Sequence, residues 1–178
     1  MKKSKALLLG AGILSASFLM AACGSTQSNA ADKTYSYVFV SNPDTLDYIT
    51  STRGSTSSIT TNLIDGLLEN DKYGNLVPSM AESWTVSKDG LTYTYKIRQG
   101  AKWYTSEGEE YAEVTAKDFV NGLKHAADKK SEALYLAENS VKGLSDYLAG
   151  NSKDFSTVGV KAVDDYTLEY TLNQPEPY

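Results

Sequence analysis

Ala81–Trp103 reads AESWTVSKDGLTYTYKIRQGAKW, and the alternation inside it decides the fold. Glu82–Val86 and Leu91–Arg98 have the period-two pattern of strands. Ser87-Lys88-Asp89-Gly90 lies between them, and its Asp-Gly pair is a hairpin signal. In the second run Tyr93, Tyr95 and Ile97 share one face, while Thr92, Thr94, Lys96 and Arg98 share the other. Trp84 and Trp103 are expected to be buried anchors, each contributing about 2–3 kcal/mol.

Downstream, Thr115–Asp128 reads as a helix. Thr115 and Asp118 form a capping box with Asp in place of the usual Glu. Phe119, Val120, Leu123 and Ala127 form the buried stripe. Ser131–Ala137 and Val141–Leu148 read as shorter helices. Val158–Val163 and Tyr166–Leu172 form a hairpin around Asp164-Asp165. Upstream, Thr34–Ser41 (TYSYVFVS) is a strand that Asn42-Pro43-Asp44 breaks, and Thr45–Gly54 is a loop. Ser55–Glu69 is expected to be a helix, because Ile59, Leu63, Leu67 and Leu68 recur at three-and-four spacing and Ser55 or Ser57 can cap it. Asp71–Asn75 is a turn. Strands and helices mix without regular alternation, so the class is α/β in the broad sense, a mixed α+β chain.

The first 33 residues follow different rules. Lys2, Lys3 and Lys5 precede an uncharged apolar run, Ala6–Ala22, which is the layout of a signal peptide over residues 1–22. It is somewhat short of the about 20 apolar residues of a membrane-spanning helix. Met20-Ala21-Ala22-Cys23-Gly24 resembles a lipobox with Met20 at the usual Leu position, so Cys23 is the expected lipid-attachment residue. Cys23 is the only cysteine, which excludes an internal disulfide. Residues 23–33 are small and polar, a flexible tether. Residues 34–178 are the expected folded part. These features place the chain on the outer face of the cell membrane, anchored through its N-terminal lipid.

The net charge is −5, and loss of the three leader lysines makes the rest more acidic. That excludes nucleic acid as a partner on electrostatic grounds. The thirteen tyrosines mostly alternate with apolar or Thr residues, as strand surfaces do. Catalytic patterns are missing: there is a single histidine, His125, read as a surface or groove-lining residue, and no GxSxG, phosphate loop or dinucleotide glycine pattern. Glu107, Glu109 and Glu110 around Gly108 read as a solvated loop. No enzyme, cofactor or metal site is expected.

The Ala81–Trp103 stretch resembles the signature of the solute-binding proteins of the peptide/nickel family, the extracytoplasmic subunits of ABC importers. Ala81, Asp89, Thr92, Tyr93, Tyr95, Ile97, Arg98, Gly100 and Trp103 carry the match. Thr45-Leu46-Asp47 resembles an early "TLDP" motif with Tyr48 in place of proline. Leu63–Leu68 resembles "LFEGLL", Thr115–Phe119 resembles "TAxDF", and Pro175-Glu176-Pro177-Tyr178 resembles the start of "PxPYF". Lys129–Gly150 is similar to the oligopeptide-binding lipoproteins of Gram-positive bacteria. The resemblance implies a periplasmic-binding-protein-like type II fold, incomplete here. The start of a first lobe runs to about Ile64, and a small inserted domain covers about Asp65–Tyr178. It also implies an N-terminal fragment, with oligopeptides as ligand and ABC permease subunits as partners. The expected ligand contacts are Thr52, Arg53 and Gly54 as a backbone edge, with Glu132 where some relatives place a tyrosine and Tyr135 close by. Alternatives that stay open are another solute on the same fold (a nickel chelate, a haem or a sugar) and a surface lipoprotein acting in adhesion or signalling.

Overall fold

A computed structural model describes Val38 and residues 41–176 of the chain. The signal segment, Cys23, the tether and nearly all of the expected Thr34–Ser41 strand lie outside the described residues. Among the described residues, eight strands and three α-helices make up the regular structure: α1 (Gly54–Thr60), β1 (Leu68–Asn70), β2 (Leu76–Pro78), β3 (Ala81–Val86), β4 (Thr92–Ile97), β5 (Lys102–Tyr104), β6 (Glu110–Glu113), α2 (Ala116–Asp128), α3 (Leu144–Leu148), β7 (Val160–Asp164) and β8 (Thr167–Thr171). Two short 3-10 turns cover Glu132–Leu136 and Phe155–Thr157.

The centre is an antiparallel sheet in the order β3-β4-β8-β7. Both expected hairpins build it, and Gly90 takes the left-handed conformation its turn demands (φ +74°). The register pairs Trp84 with Tyr95, Tyr95 with Leu168, and Leu168 with Ala162. Tyr93, Tyr95, Ile97, Leu168, Tyr170, Val160 and Ala162 therefore share one face. The Tyr95 and Tyr170 rings meet edge to face at 6.2 Å. The opposite face carries Thr92, Thr94, Lys96, Thr167 and Glu169, with Lys96 donating to Thr167 at 2.8 Å. One apolar and one polar face is the usual economy of an antiparallel sheet.

Helix α2 packs on β7 and β8. Its capping box forms as expected: the Thr115 N–H donates to Asp118 Oδ2 at 2.7 Å. The start of the helix is also tied to the β7–β8 turn, where Ala116 N–H donates to the Asp165 carbonyl at 2.8 Å. The core lies between helix and sheet, and Ala116, Ala126, Ala127, Ile97, Leu144 and Leu168 are among its buried members. Val141 is bridged to Leu172 instead of starting a helix, so the expected Val141–Leu148 helix shortens to α3. The segment Ser131–Ala137 forms a 3-10 turn. Gly159 is required where it stands, because a Cβ there would lie 2.4 Å from the Thr171 carbonyl oxygen.

Two further expectations change. The Ser55–Glu69 helix ends at Thr60, and Leu68 enters a strand. Its hydroxyl and amide side chains explain the early stop. Ser58 donates to the Gly54 carbonyl at 2.7 Å, Thr61 to that of Ser57 at 2.7 Å, and Asn62 to that of Ser58 at 2.9 Å. Such back-bonding competes with helix propagation, and Gly66 adds no helical preference. Trp84 and Trp103 are half-buried rather than buried. Trp84 stands on the outer strand of the sheet, and Trp103 on the short β5–β6 hairpin.

Candidate functional site

The segment 44–54 crosses the end of α2 and the 3-10 turn that follows it. Its first part is a closed loop: Thr50 and Ser51 N–H groups donate to the Asp47 carbonyl at 3.2 and 3.0 Å. The buried Thr56 of α1 donates its hydroxyl to the Thr45 carbonyl at 2.8 Å. Three polar links fasten the loop to the downstream elements. His125 Nε2 lies 2.8 Å from Asp47 Oδ2. Ser131 Oγ donates to the Ile49 carbonyl at 2.8 Å. Thr52 Oγ1 donates to Glu132 Oε2 at 3.1 Å.

The Asp47 carboxyl is held below its ordinary value, chiefly by the hydrogen bond from His125, with the Thr50 hydroxyl and the His125 charge adding to it against partial burial. A carboxylate accepts only, so the proton between the two groups sits on Nε2.

The expected contacts divide clearly. Thr52 and Glu132, 80 residues apart, are brought together. Arg53 turns away to Asp44, with Nε 3.0 Å from Oδ2 and both side chains largely exposed. Gly54 opens α1, and a Cβ there would meet nothing within 4 Å. Tyr135 is exposed on the same 3-10 turn as Glu132. Arg53 has extended backbone (φ −74°, ψ 135°). Among the described residues neither the N–H nor the carbonyl of Thr52 has a backbone partner. Arg53 is itself engaged, its N–H donating to Ser51 Oγ at 3.3 Å and its carbonyl accepting from the Ser57 N–H at 3.0 Å, so the free main-chain groups of this edge are those of Thr52.

Asp47, His125 and Ser131 shape this edge and were not expected to do so. The sequence offers Asp47 only within a motif and His125 only as a surface or groove-lining residue. Their pairing across 78 positions leaves no local signal in the chain.

Residues 75–178 match the family model described as "Bacterial extracellular solute-binding proteins, family 5 Middle". The chain is 67% identical over 180 residues to the oligopeptide-binding protein AmiA of Streptococcus pneumoniae serotype 4, a match that covers 100% of this chain and 27% of AmiA. It is 62% identical over 176 residues to AliB, an oligopeptide-binding protein of the same organism, covering 99% of this chain and 27% of AliB. The fold is similar to Listeria monocytogenes OppA bound to peptide, with a TM-score of 0.66 and 33% identity over 75% of this chain and 25% of that one. The chain thus spans about a quarter of the length of these relatives. The mixed α/β architecture expected from the sequence is the corresponding part of this oligopeptide-binding fold.

Proposed function

This chain belongs to the bacterial extracellular solute-binding proteins of family 5, and from that premise we propose that it is part of an oligopeptide receptor of an ABC importer. Residues 52–54 offer a short backbone edge to a bound peptide. Thr52, held by Glu132, positions that edge, and Tyr135 flanks it. The carrying observation is the exposed Thr52, whose main-chain N–H and carbonyl have no backbone partner among the described residues, beside the Glu132 carboxylate. Pairing of main chain with main chain recognises any peptide sequence, and side-chain pockets add only preference. The pneumococcal relatives AmiA and AliB, both named as oligopeptide-binding proteins, favour this ligand over a chelate, a haem or a sugar.

The edge alone is a weak site. Each exposed hydrogen bond contributes about 0.5–1.5 kcal/mol net, whereas immobilising a peptide costs at least about 4 kcal/mol. Peptide binding by this chain by itself is expected to be millimolar or weaker. Titration of isotopically labelled chain with a mixed oligopeptide library, followed by amide NMR, tests this. Shifts centred on Ser51–Ser55 that saturate only at millimolar peptide are expected. Shifts elsewhere with none at Thr52–Gly54 exclude the edge, and micromolar affinity excludes the need for further enclosure.

Attachment through a lipid on Cys23, and delivery of peptide to permease subunits, complete the reading. The support for the anchor is the lipobox-like Met20–Gly24. A Cys23→Ala chain is expected to leave the membrane fraction, and continued membrane retention with normal processing rules the anchor out.

A further inference from the structure

A peptide residue whose main chain pairs with the free N–H and carbonyl of Thr52 lies directly opposite Thr52. In an antiparallel pair, directly opposed residues place their side chains on the same face, with Cβ atoms about 4.5–5.5 Å apart. The Thr52 side chain points at Glu132, its Oγ1 donating to Oε2 at 3.1 Å. The facing peptide side chain is therefore aimed at the same carboxylate.

Glu132 has capacity left for it. A carboxylate offers about four acceptor sites on its two oxygens. Among the described residues the Thr52 hydroxyl is the one donor to this carboxylate, and Oε1 accepts nothing. No lysine or arginine of the described residues forms an ion pair with it. Arg53, the neighbour of Thr52, is taken by Asp44 at 3.0 Å. Tyr135 supplies the second feature. Glu132 and Tyr135 are the first and fourth residues of one 3-10 turn, and side chains three apart on such a turn eclipse one another. Both residues are exposed while Leu134 between them is buried, so carboxylate and phenol ring leave the turn on its outer side. A carboxylate oxygen with an aromatic ring beside it suits one kind of group, a cation on a long apolar stem.

We propose that Glu132 and Tyr135 form a subsite for a lysine or arginine side chain on the peptide residue that pairs with Thr52, an assignment that rests on the edge at residues 52–54 binding peptide. Main-chain pairing sets the line along which the peptide lies, and the subsite sets which of its residues stops opposite Thr52. The net charge of −5 favours a cationic peptide in the same sense at longer range. Both side chains are exposed, so the preference is modest and weakens with salt.

Amide NMR titration of isotopically labelled chain with three peptides tests this. One is acetyl-Ala-Ala-Arg-Ala-Ala-amide. Another carries citrulline in place of arginine, with the same shape and no charge. The last is penta-alanine amide with a free amino terminus. At low salt the arginine peptide is expected to bind about three- to tenfold more tightly than the citrulline peptide, and the ratio is expected to fall as salt is added. Glu132→Gln keeps an oxygen for the Thr52 hydroxyl and is expected to bring the ratio to about one, while Tyr135→Leu lowers it about twofold. Equal affinities for the arginine and citrulline peptides, with shifts at Ser51–Ser55, overturn the subsite and leave the edge standing. A ratio that survives Glu132→Gln moves the preference to another carboxylate and overturns the subsite too. Preferential binding of the free-amino peptide that Glu132→Gln removes, without a preference for arginine, gives the carboxylate to a peptide amino terminus instead. An absence of shifts at Ser51–Ser55 with every peptide removes the edge, and the subsite with it.

Discussion

The body of the molecule, residues 81–171, and its leading segment, residues 41–67, are held by different forces. In the body, two hairpins and α2 enclose Leu168 and Leu144, both 0% exposed, and each strand finds its partner within the chain. The leading segment has one short helix, and polar links at Asp47, Ile49 and Thr52 fasten it to α2 and the turn beyond. Leu46 and Leu63 remain exposed, at 56% and 69%, and only Ile49 and Leu67 of this segment pack, partly buried, against the core. A region that buries apolar area is stabilised by the bulk of the hydrophobic effect. A region fastened by a few half-exposed hydrogen bonds is ordered but weakly held.

The largest effect that sharpens this contrast is a paired deletion. Leu168→Ala is expected to destabilise the chain by about 2–5 kcal/mol, the usual cost of emptying a buried leucine site. Leu63→Ala is expected to stay within about 0.5 kcal/mol, as exposed substitutions do. Denaturant melts measure both, and comparable losses would erase the distinction between the two regions.

Next in size is an alkaline effect confined to the body. Burial, reinforced by the neighbouring Tyr95 hydroxyl, pushes the Tyr170 phenol up from 10.0 to about 12. The folded state therefore keeps a proton that the unfolded chain loses, so stability declines as pH rises from about 10 to about 12. The loss attributable to Tyr170 is about 2–3 kcal/mol. Tyr170→Phe is expected to flatten that limb of the stability profile, and an unchanged slope would mean that the phenol is solvated.

The smallest effect belongs to the leading segment. Asp47 is held low by His125, so the stability it contributes is present above its unfolded value of 3.8 and is lost as pH falls below that point. The pair is half-exposed, with side-chain exposures of 41% for His125 and 35% for Asp47. Removing it with His125→Gln is expected to cost at most about 1 kcal/mol. Amide exchange at Thr50 and Ser51 should nevertheless quicken, while exchange in β4 and β8 stays unchanged. Faster exchange in the body would show that the two regions unfold together.

Alternation and turn chemistry made the β3–β4 and β7–β8 hairpins legible, and Thr115 with Asp118 made the start of α2 legible. These signals act over a few residues and have their partners nearby. The same reasoning overextended the first helix, because the Leu63 and Leu67 spacing was read without the back-bonding of Ser58, Thr61 and Asn62. It also over-buried Trp84 and Trp103, since strand alternation tells which face a side chain takes but not whether that face is covered at the margin of a sheet. Of the candidate site, Thr52, Arg53, Gly54, Glu132 and Tyr135 came from resemblance. The structure joined Thr52 to Glu132, sent Arg53 to Asp44, and added Asp47, His125 and Ser131.

By itself the sequence determined the strand faces, the capping box, the acidic balance and the family signature, because each is written in neighbouring residues or in simple composition. Tertiary structure alone decided that Asp47 meets His125, that Thr52 meets Glu132, and that residues 61–67 border a groove. Those outcomes depend on bringing together positions about 80 apart or on which surfaces remain uncovered after the chain packs. Loop closure over such distances leaves no periodicity in the sequence, and only the folded backbone turns it into geometry.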